Sequence, residues 1–351
     1  MGERRILFAG NFHWNAGSSH VIAAYAEAAA AVGCEVGVST QLARLDNQIG
    51  RHLPLVDDVG WATHLVLVFE GRQFLSDRQK ELCERVPRDR RVAIDPDGHW
   101  GPTVVVGDDS TNPNGTAGSW HRLYRELSDI VLQPRIRGRL PDGAEFFTYF
   151  GMPAVYRRAT DAPVPEALPF ELQYIGSNWW RWRAMTDLIH AARAAEPPLR
   201  RMRVCGRWWD GLRCSGHEHA TGSEPGWLRA AGVEVCPSVP FGRVVAEMAR
   251  ATLSPILVRP ALAAQGLLTP RMFETLASGS IPVLADELDY LGPVYGDHAQ
   301  LFRPGIDGSA ALAAMLADHH SLRVALAQVQ DEVHARFNYE RVLAELLLFV
   351  H

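Results

Sequence analysis

Leu267-Leu268-Thr269-Pro270-Arg271-Met272-Phe273-Glu274-Thr275-Leu276-Ala277-Ser278-Gly279-Ser280-Ile281-Pro282-Val283-Leu284-Ala285-Asp286 reads as a helix with punctuation at both ends, followed by a strand. Thr269 is a good N-cap, Pro270 suits the first helical position, and Gly279 suits the left-handed residue that closes a helix. Ile281 to Ala285 is apolar and reads as a buried strand. The first amides of such a helix have no partner within it and, together with the helix dipole, favour an anion. Arg271 adds a guanidinium that fits a phosphate or diphosphate, and Glu274 could accept both hydroxyls of a ribose. The stretch describes a nucleotide site. On its own it could also be a capped amphipathic helix whose Glu274 is merely solvated, so the flanking segments decide.

The same stretch resembles the nucleotide-sugar motif of GT-B glycosyltransferases, closest to the CgeB-like branch of the group 1 family. Thr269, Arg271, Phe273, Glu274, Ala277 and Gly279 fall on its pattern. Most group 1 enzymes carry a further glutamate eight residues before the position of Glu274, where this chain has Gly266; the CgeB-like branch often lacks it too. Tyr174-Ile175-Gly176-Ser177 followed by arginines, Val204-Cys205-Gly206-Arg207-Trp208-Trp209, and Phe337-Asn338-Tyr339-Glu340-Arg341 resemble three other segments of that branch, in the same order. The resemblance runs from about Gln173 to the end, and the first half shares only general similarity to the fold. It implies an α/β fold of two doubly wound Rossmann-like domains facing a cleft, with the last helix crossing back to the first domain. It also implies transfer of a sugar from a nucleotide-diphosphate sugar, with retention of configuration and no cofactor besides that co-substrate.

The chain has 351 residues, more than one core usually organises, so two domains are expected. A formal net charge of -5 provides no global basic field to recruit nucleic acid or anionic lipid. Lys80 is the only lysine; the remaining basic charge is arginine, the better bidentate phosphate ligand, although coding bias would have the same effect. Met1 to Arg5 lead straight into the strand-like Ile6 to Gly10, with no signal peptide and no run apolar enough to span a bilayer, so a cytoplasmic location is expected. Five irregularly spaced cysteines argue against a disulfide framework. Cys205, Cys214, His217 and His219 match no common zinc module, and no metal site is expected.

Strands are predicted at 6–10, 35–39, 65–69, 92–94, 130–132 and 145–148, with helices at 20–32, 76–85 and 119–127. Near-continuous apolar strands separated by helices imply a parallel sheet covered on both faces, with ligands at the carboxyl ends of its strands. Residues 1–150 form the expected first domain, on the acceptor side. Pro153, Pro163, Pro165 and Pro169 make 151–170 read as a linker. Residues 171–335 form the expected nucleotide-sugar domain, with strands at 172–175, 202–205, 233–236 and 253–258 before the opening motif, and helices at 183–194, 226–231 and 244–251. Helices at 310–318 and 321–333 follow, and 336–351 carry the last helix, 339–349.

Gly176 and Ser177 follow a strand, so small side chains and amides would allow a phosphate to approach closely, with Arg181 or Arg183 supplying charge. Register with the family favours Arg183. Gly206 and Arg207 also follow a strand and could contact the base or diphosphate, or form a plain turn. Trp179, Trp180 and Trp182 read as packing rather than as a stacking platform. The donor-binding set is Gly17, Ser177, Arg183, Gly206, Arg207, Thr269, Pro270, Arg271 and Glu274. The catalytic candidates are Asp97, His99 and His13. Asp95, Asp97 and His99 lie in one loop after a strand, where a carboxylate or imidazole could activate an acceptor hydroxyl, although Asp97-Gly98 is also an ordinary turn. His13 and His20 flank Asn15-Ala16-Gly17-Ser18, a loop that runs near donor phosphates and acceptor in related folds.

The function expected is glycosyl transfer to an unknown small-molecule or glycan acceptor, with the leaving group stabilised without metal by Arg183, Arg271 and the amides of 269–272. Two alternatives are a nucleotide-binding GT-B protein without turnover and an enzyme that transfers a non-sugar, cyclitol-like group. A nucleic-acid partner and an integral membrane segment are not expected.

Overall fold

The computed structural model describes residues 4–10, 17–39, 53–70, 76–101, 117–161, 163–305 and 308–350. The chain divides into two compact units. The first comprises Met1–Gly151, Gln265–Pro270 and Phe337–His351, and the second Met152–Ala264 and Arg271–Arg336.

The first unit runs β1 (Arg5–Gly10), α1 (Gly17–Val32), β2 (Glu35–Ser39), β3 (Leu55–Val56), β4 (His64–Val68), α2 (Asp77–Arg85), β5 (Arg91–Ile94), α3 (Ala117–Leu127), β6 (Val131–Gln133) and β7 (Glu145–Phe146). Its seven strands lie in the order β3-β2-β1-β4-β5-β6-β7, and every pair is parallel. Ile6 to Ala9 and Leu65 to Val68 are almost wholly buried, as central strands covered on both faces must be. Chemistry at the chain level sets the helix ends. Gly33, at φ +73°, closes α1, and Ser76 and Gln79 form a capping box on α2. The last helix of the chain, numbered α11 below, returns to this unit: Asn338 caps it, Tyr339 meets Tyr25 of α1 edge-on at 5.6 Å, and Phe349 meets Phe147 at 6.2 Å.

The second unit runs β8 (Phe170–Ile175), α4 (Trp182–Ala194), β9 (Met202–Cys205), α5 (Pro225–Ala230), β10 (Val233–Cys236), α6 (Val244–Met248), β11 (Ala251–Ile256), α7 (Pro260–Gln265), α8 (Pro270–Ser278), β12 (Ile281–Leu284), α9 (Gly308–Ala317) and α10 (His319–Phe337), before α11 (Tyr339–Phe349). α7 ends, and α8 begins, within the segment counted with the first unit. The sheet order is β10-β9-β8-β11-β12, again all parallel. The order reverses between β8 and β11, the place where doubly wound sheets open to ligands. There the pairing ends at Leu253↔Leu172, whereas β11 and β12 stay paired to Ile256↔Leu284. Pro255 accounts for this, because it has no N–H to continue the ladder towards β8. The strand begins at Ala251 rather than Leu253, and α6 is correspondingly shorter than its apolar pattern predicts.

The proline-bearing stretch before β8 makes no long regular element, yet it is fastened to the second unit. Arg157 N donates to Ala277 O at the end of α8, Gln330 of α10 accepts from Ala159 N and donates to Arg157 O and Leu276 O, and Arg158 pairs with Asp331. Proline prevents helix interior and central strand here but leaves the carbonyls free to be bonded from outside.

Candidate functional site

Helix α8 forms as its sequence predicts, from Pro270 to Ser278, with Gly279 at φ +70° beyond it. Met272, Phe273, Leu276 and Ala277 are fully buried, and Tyr295 Oη donates to Met272 O at 3.0 Å, so the helix is held on its inner face. Arg271 and Glu274 lie on the more open face, each with a side chain 18% exposed, and pair with each other at 3.0 Å. Arg271 also touches Met248 Sδ at 3.7 Å. A guanidinium has five donors and a carboxylate two oxygens, so this one pairing leaves both groups capacity for a ligand. Thr269 and Pro270 are half-buried at the helix start.

The loops after β8 and β9 are built around each other. Gly206 has φ +154°, and a Cβ on it would overlap the carbonyl of Gly176 and lie 3.1 Å from Ser177 N. Glycine is therefore required at 206 by the approach of two backbones, with or without a ligand. Asn178 N donates to Arg207 O, Trp209 Nε1 donates to Gly176 O at 2.6 Å, and the Asn178 amide donates to Trp208 O, Thr221 O and Gly222 O. Ser177 is half-buried, while Arg207 is exposed with its guanidinium 5.2 Å from the Trp208 ring. Gly206→Ala is expected to destabilise the protein by about 1–3 kcal/mol, the usual cost of a backbone forced into a sparsely populated region, and a melting curve checks this.

Of the two arginines at the start of α4, Arg183 has a side chain 94% exposed and only a distant partner, Asp187 at 3.9 Å. Arg181 is turned inward. Its Nε donates to Leu257 O just past β11, and its Nη1 donates to Ser177 O and Trp179 O. Arg181 is thus the cation tied to the switch point between β8 and β11. Arg183, which register with the family favours, lies two positions further on, facing solvent. The interleaved tryptophans pack: Trp179 against Trp208 and His217, Trp180 against His219, and Trp182 against Trp209 and Trp227.

In the first unit, β5 delivers Asp95 to Trp100. Asp95 is fully buried, and its carboxylate accepts from His99 N at 3.0 Å, Trp100 N at 2.7 Å and Gln133 Nε2 at 2.6 Å. His99 Nδ1 lies 3.2 Å from the same carboxylate, off the line of a good hydrogen bond, and the His99 ring stacks on Trp120 at 4.0 Å. Burial alone would push the Asp95 carboxyl up, but the His99 imidazole and the N–H groups of Trp100 and His99 hold it below its usual value. Asp95 is thus the anchor of the loop. Asp97 is half-buried in a turn closed by Gly98 at φ +72°, and His99 is 8% exposed. The turn expected at Asp97-Gly98 is present.

His13 lies outside the described residues. Gly17 opens α1, where an added Cβ would come 3.2 Å from Pro270 Cγ, so the lack of a side chain permits close approach. The neighbouring Ser18 is fully buried and donates to Glu70 at the end of β4. Sequence reading placed Ser18 in the candidate loop without its bond to Glu70, and it missed Arg135 and Gln133 at the end of β6; their one signal was position, just past the carboxyl end of a parallel strand. All five cysteines are free, and among the described residues no group of three His, Cys, Asp or Glu is placed to hold a metal ion. No described helix is long and apolar enough to cross a membrane.

Residues 183–348 match the sequence profile of a family described as Glycosyl transferase-like. No curated protein matches the chain by sequence. Among solved structures, sucrose-phosphate synthase from Thermosynechococcus elongatus is similar with a TM-score of 0.63 at 11% identity, covering 99% of this chain and 98% of that one. The T4 phage BGT in complex with UDP and Mn2+ is similar with a TM-score of 0.54 at 13% identity, covering 99% of both chains. An alpha-glucosyltransferase in complex with UDP-glucose and DNA containing an abasic site gives a TM-score of 0.60 at 10% identity, covering 97% of this chain and 96% of that one. The chain has the two-unit GT-B fold that these solved structures share, and within it residues 183–348 match the glycosyltransferase-like profile.

Proposed function

We propose that the protein is an enzyme, a glycosyltransferase that moves a sugar from a nucleotide-diphosphate sugar to a small-molecule or glycan acceptor. The observation that carries this reading is the half-buried Arg271–Glu274 pair on the open face of a helix that begins at Pro270, within the stretch that matches the glycosyltransferase-like profile. In this reading the amides at Thr269 to Met272 and Arg271 take the diphosphate, joined by the loop at Gly176 and Ser177 and by Arg181 in place of Arg183. Glu274 takes the ribose, and Gly206 and Arg207 border the base or diphosphate. UDP-sugars are the donors to try first, since similar structures hold UDP or UDP-glucose. The finer features proposed are the CgeB-like branch, retention, independence of metal, a cytoplasmic location and an acceptor other than nucleic acid. Both an alpha-glucosyltransferase and a beta-glucosyltransferase share the fold, and one similar structure holds Mn2+ and one DNA, so these features rest on motif resemblance and charge. Product anomer analysis and assay with excess chelator test retention and metal independence.

His99, held beside the buried Asp95 carboxylate, is the group proposed to meet the acceptor hydroxyl or the reacting sugar, with Asp97 next to it. One observation favours a second reading, transfer of a cyclitol-like group. Gly266 has φ +70°, and a Cβ there would crowd Arg139 Cδ at 2.8 Å, so the glutamate that most group 1 enzymes carry at this position would be strained here. Release of nucleoside diphosphate in the presence of acceptor separates either enzyme from a protein that only binds nucleotide.

Glu274→Ala is expected to weaken UDP binding by roughly 1.5–3 kcal/mol, about 10- to 100-fold, because the ribose loses a charged acceptor. Inorganic pyrophosphate should bind as well as before or better, since Arg271 is freed from its partner. Arg271→Lys should weaken both, as a point charge cannot reproduce the fork. Calorimetry showing unchanged UDP affinity in folded Glu274→Ala would remove the carboxylate from the ribose.

A further inference from the structure

The loop that carries Asp97 and His99 is gripped from two sides. Asp95 takes its N–H groups, and on the carbonyl side Arg135 Nη2 donates to Gly98 O at 3.3 Å. Arg135 is 7% exposed, and burial pushes its guanidinium below its usual range while the charge of Asp95 opposes this. Its Nη1 donates to Arg139 O at 3.4 Å, and its Nη2 also donates to Gln265 Oε1. Gln265 belongs to the segment that leads into Thr269 and Pro270. That segment is laid along the chain after β6: Arg135 and Leu267 form an antiparallel bridge, Leu268 N donates to Pro134 O at 2.7 Å, and Ile136 N donates to Gly266 O at 3.1 Å. The fit leaves no slack. A Cβ on Gly98 would overlap Gln265 Oε1 and come within 2.8 Å of both Arg135 Nη2 and Leu267 Cδ1.

We propose that Arg135 is a positioning residue for transfer: one guanidinium fixes the Asp95–Trp100 loop against the Gln265–Pro270 segment, so the groups on the loop and the start of α8 keep a set geometry. A neutral side chain could satisfy one of these acceptors, but only a planar fork reaches the carbonyls of Gly98 and Arg139 and the amide of Gln265 together. The inference rests on the transferase reading above.

The test compares UDP release from UDP-glucose by the unaltered full chain, Arg135→Ala and Arg135→Lys, with amide hydrogen exchange of peptides spanning 95–101 and 265–270. In Arg135→Ala, kcat is expected to fall about 10²-fold, the scale of a small misplacement of reacting groups, with the donor KM within about threefold. Exchange should rise in both peptides, and added guanidinium ion, kept below denaturing concentrations, should restore part of kcat. Arg135→Lys should fall at least about tenfold; it carries the comparison if the alanine variant does not fold. Unchanged kcat and exchange in a folded variant would overturn the inference while leaving the transferase reading intact. Absence of UDP release by the unaltered chain with every acceptor tried would instead sink the transferase reading on which it rests.

Discussion

Folded His99→Ala is expected to lose about 10²–10⁴ in kcat while its affinity for UDP stays nearly unchanged, because the imidazole lies in the first unit and Arg271 and Glu274 belong to the second. The range is that of a positioned proton-transfer group. The Asp95 carboxylate beside Nδ1 and the stacked Trp120 ring fix the imidazole before any acceptor arrives, and such fixing makes an imidazole an effective base. Asp97→Asn should cost only a few-fold if Asp97 serves the turn ahead of Gly98, and a loss as large as that of His99→Ala would put the carboxylate in the reaction itself. Near-ultraviolet circular dichroism must accompany the kinetics, because His99 packs on Trp120, a fully buried side chain, and a packing defect would imitate a catalytic one. Full rates in both variants at saturating donor and acceptor would take the chemistry away from this loop and towards His13 and His20.

The fold was legible because its signals are local. Strands such as Ile6 to Ala9 and Ile281 to Leu284 are short apolar runs, and Thr269, Pro270 and Gly279 mark the motif helix within one window. What was not legible depends on backbone approaching backbone from far along the chain. Gly206 reads as a ligand contact or a plain turn, and its close approach to the Gly176 carbonyl could not be seen. Gly266 reads as a missing glutamate until its positive φ and its pairing with Ile136 are seen. Charged residues divided in the same way. Arg271 and Glu274 are three apart on one helix, so their pairing follows from spacing, whereas Arg135 meets Gln265 across |i−j| = 130. Arg181 and Arg183 differ by two positions, which is enough on a helix start to turn one inward and the other to solvent. Asp95, Asp97 and His99 were read as one loop, but burial separates the two carboxylates, since only one surrounded by N–H donors can stay charged away from water.

Asp95→Asn is expected to cost about 3–5 kcal/mol of stability, the usual consequence of removing one member of a buried, hydrogen-bonded charge network. An asparagine carries one carbonyl oxygen where the carboxylate meets three N–H donors from His99, Trp100 and Gln133, and its own NH2 would face donors rather than acceptors. Arg135, whose guanidinium is pushed below its usual range by burial and pulled back up by the charge of Asp95, would lose that compensation as well. The pH dependence has a definite sign. The folded-state pKa of Asp95 lies below its unfolded value, so the stabilisation is present above about pH 4, the ordinary aspartate value, and is lost as pH falls through the lower folded value. Urea unfolding at a series of pH values from neutral down to about 3 should therefore give curves for the unaltered chain and for Asp95→Asn that lie furthest apart above pH 4 and converge below it. A constant offset at every pH would mean that Asp95 contributes packing alone, and an offset near zero would mean that the N–H groups of the loop find other acceptors once the carboxylate is gone.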